Sequence, residues 1–342
     1  MQLIPIKTRN KIANGGIIAA WMVVGIHVAW YPINHYNGAM WMWEALGHYG
    51  LFMVAVPFFF IVSGYFLAGH IAEHGWWKQE CAKRLFSLAV PYLIWCAIYA
   101  TLLLPTWHGS ESGVVYILKA FGLSPVHCPL LGPMWFIRSL ILCVLASPVI
   151  VVLLRRLGFW GVLLLWIVWT FANFVCASMT TAGLVKTCIN ALSLFYLNAA
   201  FYFAVGIAVR LKILNVALGK SASTTLFFVG TVLVIGQSIF WYHSGINPLQ
   251  WTKTFTIPML LVGVYYYIPD FEFPRWLTSS AFPIFLMHTP LWLLSGSALN
   301  CEEESIAYWI MRWTVGFAGS VLLTVLLRKF FPRTSFILFG GR

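Results

Sequence analysis

Charge is what this 342-residue chain has least of: Asp, Glu, Lys and Arg together make up 9% of it, where a soluble domain carries about 25%. With 61% hydrophobic residues, too little polar side chain is left to cover a water-facing globule of this size. That excludes a soluble enzyme, a disordered chain and a nucleic-acid binder, and leaves an all-α integral membrane protein. Acid is scarcer still, at nine residues, and none falls in the middle of an apolar run. A secondary transporter or proton pump usually keeps an intramembrane Asp or Glu as its coupling site, so this absence weighs against that class. There is no internal repeat, no pair of broken helices and no low-complexity linker, which points to a single membrane domain over residues 1–342. The seven cysteines show no metal-ligand spacing, and no metal is expected. Most lie in apolar runs, where a thiol acts as a small hydrophobe. Cys128, Cys188 and Cys301 could face an oxidising compartment, which leaves a disulfide open.

What the chain does have is long apolar runs. Ten are read as spans, at about 12–30, 46–69, 85–104, 132–154, 158–178, 188–210, 222–243, 254–269, 278–298 and 305–327. Runs of this length in lipid must be helices, because only a helix satisfies its own backbone groups without partner strands. No removable signal-peptide pattern opens the chain, so the first run is expected to stay as a span. Orientation follows from the loops. One side, with both termini, holds 16 of the 21 Lys and Arg, and the other holds Lys119, Lys186 and Lys253. That asymmetry predicts that both termini are cytoplasmic. It also assigns the net charge of +12 to the cytoplasmic face and its anionic lipid. On this reading Glu44, Glu111, Glu302, Glu303 and Glu304 lie outside, and Glu73, Glu80, Asp270 and Glu272 inside.

Four polar side chains fall within or near spans: His27, His288, Arg138 and Arg312. His27 lies about fifteen residues, roughly 22 Å of helical rise, into the first span, in the outer half of the membrane. An imidazole there has two readings, a hydrogen-bonded packing residue or a general base that takes a proton from a hydroxyl nucleophile. His288 sits mid-span, where a hydrogen-bonded packing role is the reading that position alone favours. Arg138 and Arg312, near outer span ends, either snorkel to the interface or face a cavity. His35 and His48 flank the first outer loop and could line an entrance for a substrate; the other histidines read as interfacial.

Several segments, taken in order, resemble one family, the membrane acyltransferase 3 family. Val56-Pro57-Phe58-Phe59-Phe60-Ile61-Val62-Ser63-Gly64-Tyr65 is similar to its proline, aromatic run and Ser-Gly-Tyr signature. Lys83-Arg84-Leu85-Phe86-Ser87-Leu88-Ala89-Val90-Pro91-Tyr92-Leu93-Ile94-Trp95 resembles its basic stretch followed by Pro-Tyr. Trp135-Phe136-Ile137-Arg138 resembles its Leu-Trp-Phe motif, Phe282-Pro283-Ile284-Phe285-Leu286-Met287-His288 its late Ile-Tyr-Leu-x-His motif, and the tail Gly340-Gly341-Arg342 is typical of one branch.

The resemblance implies ten helices and transfer of an acyl group, commonly acetyl, from cytoplasmic acyl-CoA to a hydroxyl of an outer glycan or lipid-linked sugar. Acetyl-CoA or another acyl-CoA would be the donor substrate, with no resident cofactor. It implies His27 as catalytic base and His288 as a supporting pocket residue. Tyr65, Ser63 and Arg138 are candidates to face the oxyanion, with Trp135 at the pocket or as an interface anchor. A covalent acyl-enzyme on a serine or histidine is the alternative mechanism. Two positions depart from the family's pattern: Gly16 stands where its first-helix motif has arginine, and Ser87 where its basic pair has a second arginine. The grip on CoA phosphates then falls to Arg84, Lys83 and Lys11. The competing classes are a transporter or flippase of an envelope precursor, lined by His27, His288 and Arg138, and a non-catalytic membrane scaffold.

Overall fold

The computed structural model describes residues 4–28, 50–106, 112–123, 133–178, 183, 188–189, 192–215, 218–244, 249–298 and 306–341. Among the described residues the regular structure is helical, with no strand. Helix is present in every one of the ten apolar runs, and among the described residues seven helices are long and apolar enough to cross a membrane: Ile6–Val28, Leu51–Ala68, Trp76–Leu103, Met134–Leu157, Phe159–Cys176, Lys220–Trp241 and Ile310–Phe330. Asn198–Arg210 and Ala281–Leu291 are shorter apolar helices. The protein is therefore a multi-pass membrane protein. His35, His48, His108, His127, Glu44, Glu111, Glu302, Glu303, Glu304, Cys128, Cys301, Lys186 and Arg342 lie outside the described residues. Among the described residues Cys81, Cys96, Cys143 and Cys188 are free thiols.

The helical boundaries depart from the apolar runs where polar helix formers extend them. The third helix begins at Trp76, not near residue 85, because Lys78, Gln79, Glu80, Ala82, Lys83 and Arg84 all favour helix despite their polarity. Lys83 and Arg84 thus stand on a helix, not in a loop. A π-turn over Leu85–Ala89 joins this polar start to the apolar Val90–Leu103. Short helices also form at Gly113–Ala120, Arg275–Thr278 and Pro332–Leu338, in segments too brief or too polar to read as spans.

Contacts gather the described residues into two compact units. One comprises Gln2–Phe59 and Asn215–Leu323. Its centre is the Ile6–Val28 helix, whose Ile17, Ala20, Val24 and Val28 form a buried core with Phe52, Ile284 and Trp313. Trp313 stacks on Trp21 at 4.4 Å and donates its indole N–H to the Trp21 carbonyl at 3.1 Å. At the start of this helix a polar stripe at helical spacing grips the end of the Leu249–Tyr267 helix and the chain just after it. Lys11 Nζ donates to the Tyr265 and Tyr266 carbonyls at 3.2 and 3.0 Å, Asn10 to the Asp270 carbonyl at 3.0 Å, and Asn14 to the Pro269 and Phe271 carbonyls at 2.9 and 2.7 Å. A cation there also favours the negative end of the helix dipole. The Lys220–Ser244 and Leu249–Tyr267 helices form an antiparallel pair: Thr224 meets Tyr267, a Cβ at Gly263 would meet the Phe227 backbone, and one at Gly230 would meet Leu260.

The other unit comprises Phe60–Leu214 and Thr324–Arg342. Here the end of the Ala55–Ala68 helix crosses the Asn198–Arg210 helix at paired glycines. A Cβ on Gly64 would overlap the Phe203 carbonyl, and one on Gly206 would overlap the Ile61 carbonyl and lie 2.9 Å from Tyr65 N. Such backbone-to-backbone contact is how membrane helices pack without a hydrophobic drive between them. In the Met134–Leu157 helix Pro148 cannot donate to the Val144 carbonyl, and the neighbouring Ser147 hydroxyl does so instead at 2.6 Å.

Candidate functional site

His27 occupies the last described turn of the Ile6–Val28 helix, and His288 a middle turn of Ala281–Ala298. These helices pack together, and they bring the two imidazoles to 5.0 Å between ring centroids, at 55° between planes. Residues 261 positions apart in sequence thus form one histidine pair. Each ring is held by its own helix. His27 Nδ1 lies 2.8 Å from the Val23 carbonyl and His288 Nδ1 2.9 Å from the Ile284 carbonyl. A carbonyl only accepts, so Nδ1 carries the proton in both rings and Nε2 presents its lone pair. His288 is fully buried and its Nε2 has no hydrogen-bond partner among the described residues. His27 is only partly buried and is the more accessible of the two residues.

Glycines press the walls of this site close. A Cβ at Gly316 would lie 2.8 Å from Val24 and 3.6 Å from His288 Cβ, and one at Gly25 would lie 2.8 Å from the Phe52 ring. Gly16 differs. It lies eleven residues, about three helical turns, before His27 and so on the same helix face. A Cβ there would meet only Ala281 Cβ, at 3.9 Å. The position where the resembled family carries arginine is therefore a small residue with room beside it.

Lys11 belongs to the same unit as the histidine pair, with its ammonium on the Tyr265 and Tyr266 carbonyls. Arg84, Lys83, Ser63, Tyr65, Trp135 and Arg138 belong to the other unit. Arg84 and Lys83 share one carboxylate: Arg84 Nε lies 3.4 Å from Glu80 Oε2 and Lys83 Nζ 3.7 Å from Oε1. The Glu80 side chain is 5% exposed, Arg84 15% and Lys83 62%. Glu80 therefore orients Arg84 on the helix, while the Lys83 ammonium reaches solvent. Glu80 was legible as the acid three and four residues before two cations on one helix face.

Ser63 is half-buried on the Ala55–Ala68 helix. Tyr65 accepts a hydrogen bond from Arg210 Nη1 at 3.1 Å, and the guanidinium lies 5.1 Å from the Tyr65 ring centroid. The Ser-Gly-Tyr segment thus fastens the crossing at Gly64 and Gly206 with a cation–π contact and a hydrogen bond. Nothing in the sequence pairs Arg210 with Tyr65. Trp135 and Phe136 pack around Phe60 at 6.3 and 4.7 Å. Arg138 does not simply snorkel to the interface: its Nη1 donates to the Gly122 carbonyl at 2.8 Å and its guanidinium lies 5.6 Å from the Tyr196 ring. Arg312 lies on the Ile306–Thr314 helix. Among the described residues no group of three or more His, Cys, Asp and Glu is placed to hold a metal ion.

A membrane-embedded helical protein with a histidine pair between two packed helices is the class that fold and site define. Residues 17–329 match the Acyltransferase domain of the acyltransferase 3 type, nearly the whole chain, and the protein belongs to that family. It is 27% identical to the succinoglycan biosynthesis protein ExoH of Rhizobium meliloti, over 39% of this chain and 40% of that protein. It is 26% identical to the nodulation protein NolL of Mesorhizobium japonicum, over 42% of this chain and 36% of that one. It is 30% identical to an amino-acid racemase of Enterococcus faecalis, over 42% of this chain and 19% of the racemase. The chain thus spans well under half the length of these curated relatives. No solved structure matches it.

Proposed function

We propose that this protein transfers an acyl group, acetyl before others, from cytoplasmic acyl-CoA to a hydroxyl of an extracytoplasmic glycan or glycolipid, with His27 as general base. It does so as a multi-pass protein of a bacterial cytoplasmic membrane with both termini in the cytoplasm, the side favoured by the 16:3 count of Lys and Arg. The observation that carries the reading is the His27 ring, held through Nδ1–H by the Val23 carbonyl, with Nε2 left to act, in a chain of the acyltransferase family. A relative named for succinoglycan biosynthesis supports a carbohydrate acceptor.

In this mechanism Nε2 of His27 accepts the proton of the acceptor hydroxyl as its oxygen attacks the thioester carbonyl. The tetrahedral intermediate collapses with loss of CoA thiolate, which takes the proton back from His27 and leaves as the thiol. The Val23 carbonyl holds the ring in the tautomer this requires and stabilises the imidazolium formed. The donor phosphates are assigned to Arg84 and Lys83, with Lys11 a further cation, because guanidinium and ammonium match phosphate charge. Membrane lipid surrounds the helices and is no reactant.

The test is His27→Ala in proteoliposomes supplied with labelled acetyl-CoA and a glycan acceptor. General-base removal is expected to lower turnover about 10²- to 10⁴-fold while the protein still inserts and purifies. Transfer at the wild-type rate would overturn the assignment.

A further inference from the structure

The C-terminal segment ends in a turn that the transferase reading does not use. Pro332–Leu338 is a helix closed by Gly340 and Gly341, both in the left-handed region at φ +64° and +74°. The Gly341 N–H donates to the Phe336 carbonyl at 2.8 Å, the long bond of a glycine-terminated helix. This turn lies against the π-turn at Leu85–Ala89. A Cβ at Gly340 would overlap the Ser87 carbonyl and lie 2.7 Å from both Ser87 C and Cα, so backbone meets backbone with no flexible side chain to yield. The contact is fastened before and after it. Phe336 packs on Phe86 at 5.3 Å, and Trp95 donates its indole N–H to the Leu338 carbonyl at 3.1 Å. Phe339 is fully buried.

What is braced is the turn that follows Arg84. A π-turn is a wider, less regular turn of helix; here it is closed by the Val90 N–H on the Leu85 carbonyl. Arg84 is the residue immediately before it, with Glu80 holding the guanidinium from the preceding turn. Ser87 is three residues on. A change in the π-turn therefore re-aims Arg84, and the tail sets the position of that turn.

We propose that the Gly340–Gly341 turn is a positioning device: by seating on the Ser87 backbone it holds Arg84 in the orientation that grips an anionic, phosphate-bearing donor. This inference rests on the acyl-CoA reading above. Gly340 is the positioning residue because it alone of the two glycines contacts Ser87 backbone. Alanine at position 341 would carry the same backbone strain as alanine at 340, but its Cβ would meet the Phe336 ring, 2.8 Å away, which must then move against Phe86 while the Ser87 backbone stays untouched.

The experiment compares Gly340→Ala with Gly341→Ala, each assayed with acetyl-CoA and with acetyl-pantetheine, which has the thioester but no phosphate. Gly340→Ala is expected to raise KM for acetyl-CoA about tenfold with little change in kcat, and to leave KM for acetyl-pantetheine unmoved. Gly341→Ala, which displaces the Phe336 ring from Phe86 but meets no Ser87 backbone, is expected to shift the same ratio by less than Gly340→Ala does. A merely structural role for the tail would lower active protein on both donors alike and leave the KM ratio unchanged, which overturns the proposal. Should Gly340→Ala not accumulate, Trp95→Phe removes the tail's hydrogen bond and is expected to shift the ratio in the same direction by about threefold; an unshifted ratio again overturns it. Wild-type protein that uses neither donor ends the acyl-CoA reading and this inference together. Wild-type preference for acetyl-CoA with a variant ratio equal to it ends this inference alone.

Discussion

Replacing Gly206 with alanine tests the helix crossing that the Ser63-Gly64-Tyr65 segment belongs to. An ideal Cβ at Gly206 would overlap the Ile61 carbonyl oxygen, 2.8 Å from Ile61 C and 2.9 Å from Tyr65 N. Carbon atoms rest at about 3.5 Å or more, so the two backbones must part by at least roughly 0.7 Å. No rotamer change relieves this, since every atom met is main chain. Overpacking of a tight interior costs about 1–3 kcal/mol, and the rigidity of both partners here places Gly206→Ala at about 3 kcal/mol. The separation also lengthens the Arg210–Tyr65 hydrogen bond, now 3.1 Å. Gly16→Ala is the matched control: it too adds one methyl to a glycine in a membrane helix, but its Cβ would meet only Ala281 Cβ at 3.9 Å. Removing a helical glycine there is expected to stabilise by about 0.5–1 kcal/mol. The assay is thermal or denaturant unfolding of the two variants in the same detergent, followed by the fluorescence of the chain's tryptophans. Equal midpoints for Gly206→Ala and Gly16→Ala would refute the close crossing.

Arg84→Ala is expected to raise the donor KM for acetyl-CoA about tenfold or more while kcat falls little, because a phosphate contact remote from the reacting carbonyl contributes binding in ground and transition state alike; an unchanged donor dependence would remove Arg84 from the donor site. Tyr65→Phe deletes the hydroxyl that accepts from Arg210 and keeps the ring under the guanidinium. It is expected to cost about 1 kcal/mol of stability and to change turnover by less than about threefold, whereas a fall of 10²–10³ would make the hydroxyl an oxyanion donor.

Much of the architecture was legible because a bilayer permits so few solutions. Once 9% charge excluded a water-facing surface, apolar runs of this length could only be helices, and each of the ten contains helix. Motif order carried the acyltransferase family, which residues 17–329 match. Less legible were features whose meaning depends on a distant partner. Gly64 reads as a motif residue and proves to be the point where the Phe203 backbone passes. Tyr65, a candidate oxyanion donor by pattern, binds Arg210, 145 residues away. The third helix starts nine residues early because apolar runs do not register polar helix formers.

The histidines mark the boundary most clearly. Sequence alone determined that His27 and His288 are imidazoles within apolar helices, since composition and hydropathy are local properties of the chain. It also placed arginine's absence at Gly16 and Ser87, two positions read directly from the residues. Only the tertiary structure decided that the two rings stand 5.0 Å apart, each with Nδ1–H committed to its own helix and Nε2 free of it. The reason is geometric. A helix determines the direction of a side chain about its own axis, but which two helices pack, and at what rotation, depends on the shapes of both surfaces. Here those surfaces are Val24, Ile284 and the small Gly316, which let the backbones of three segments close around one histidine pair.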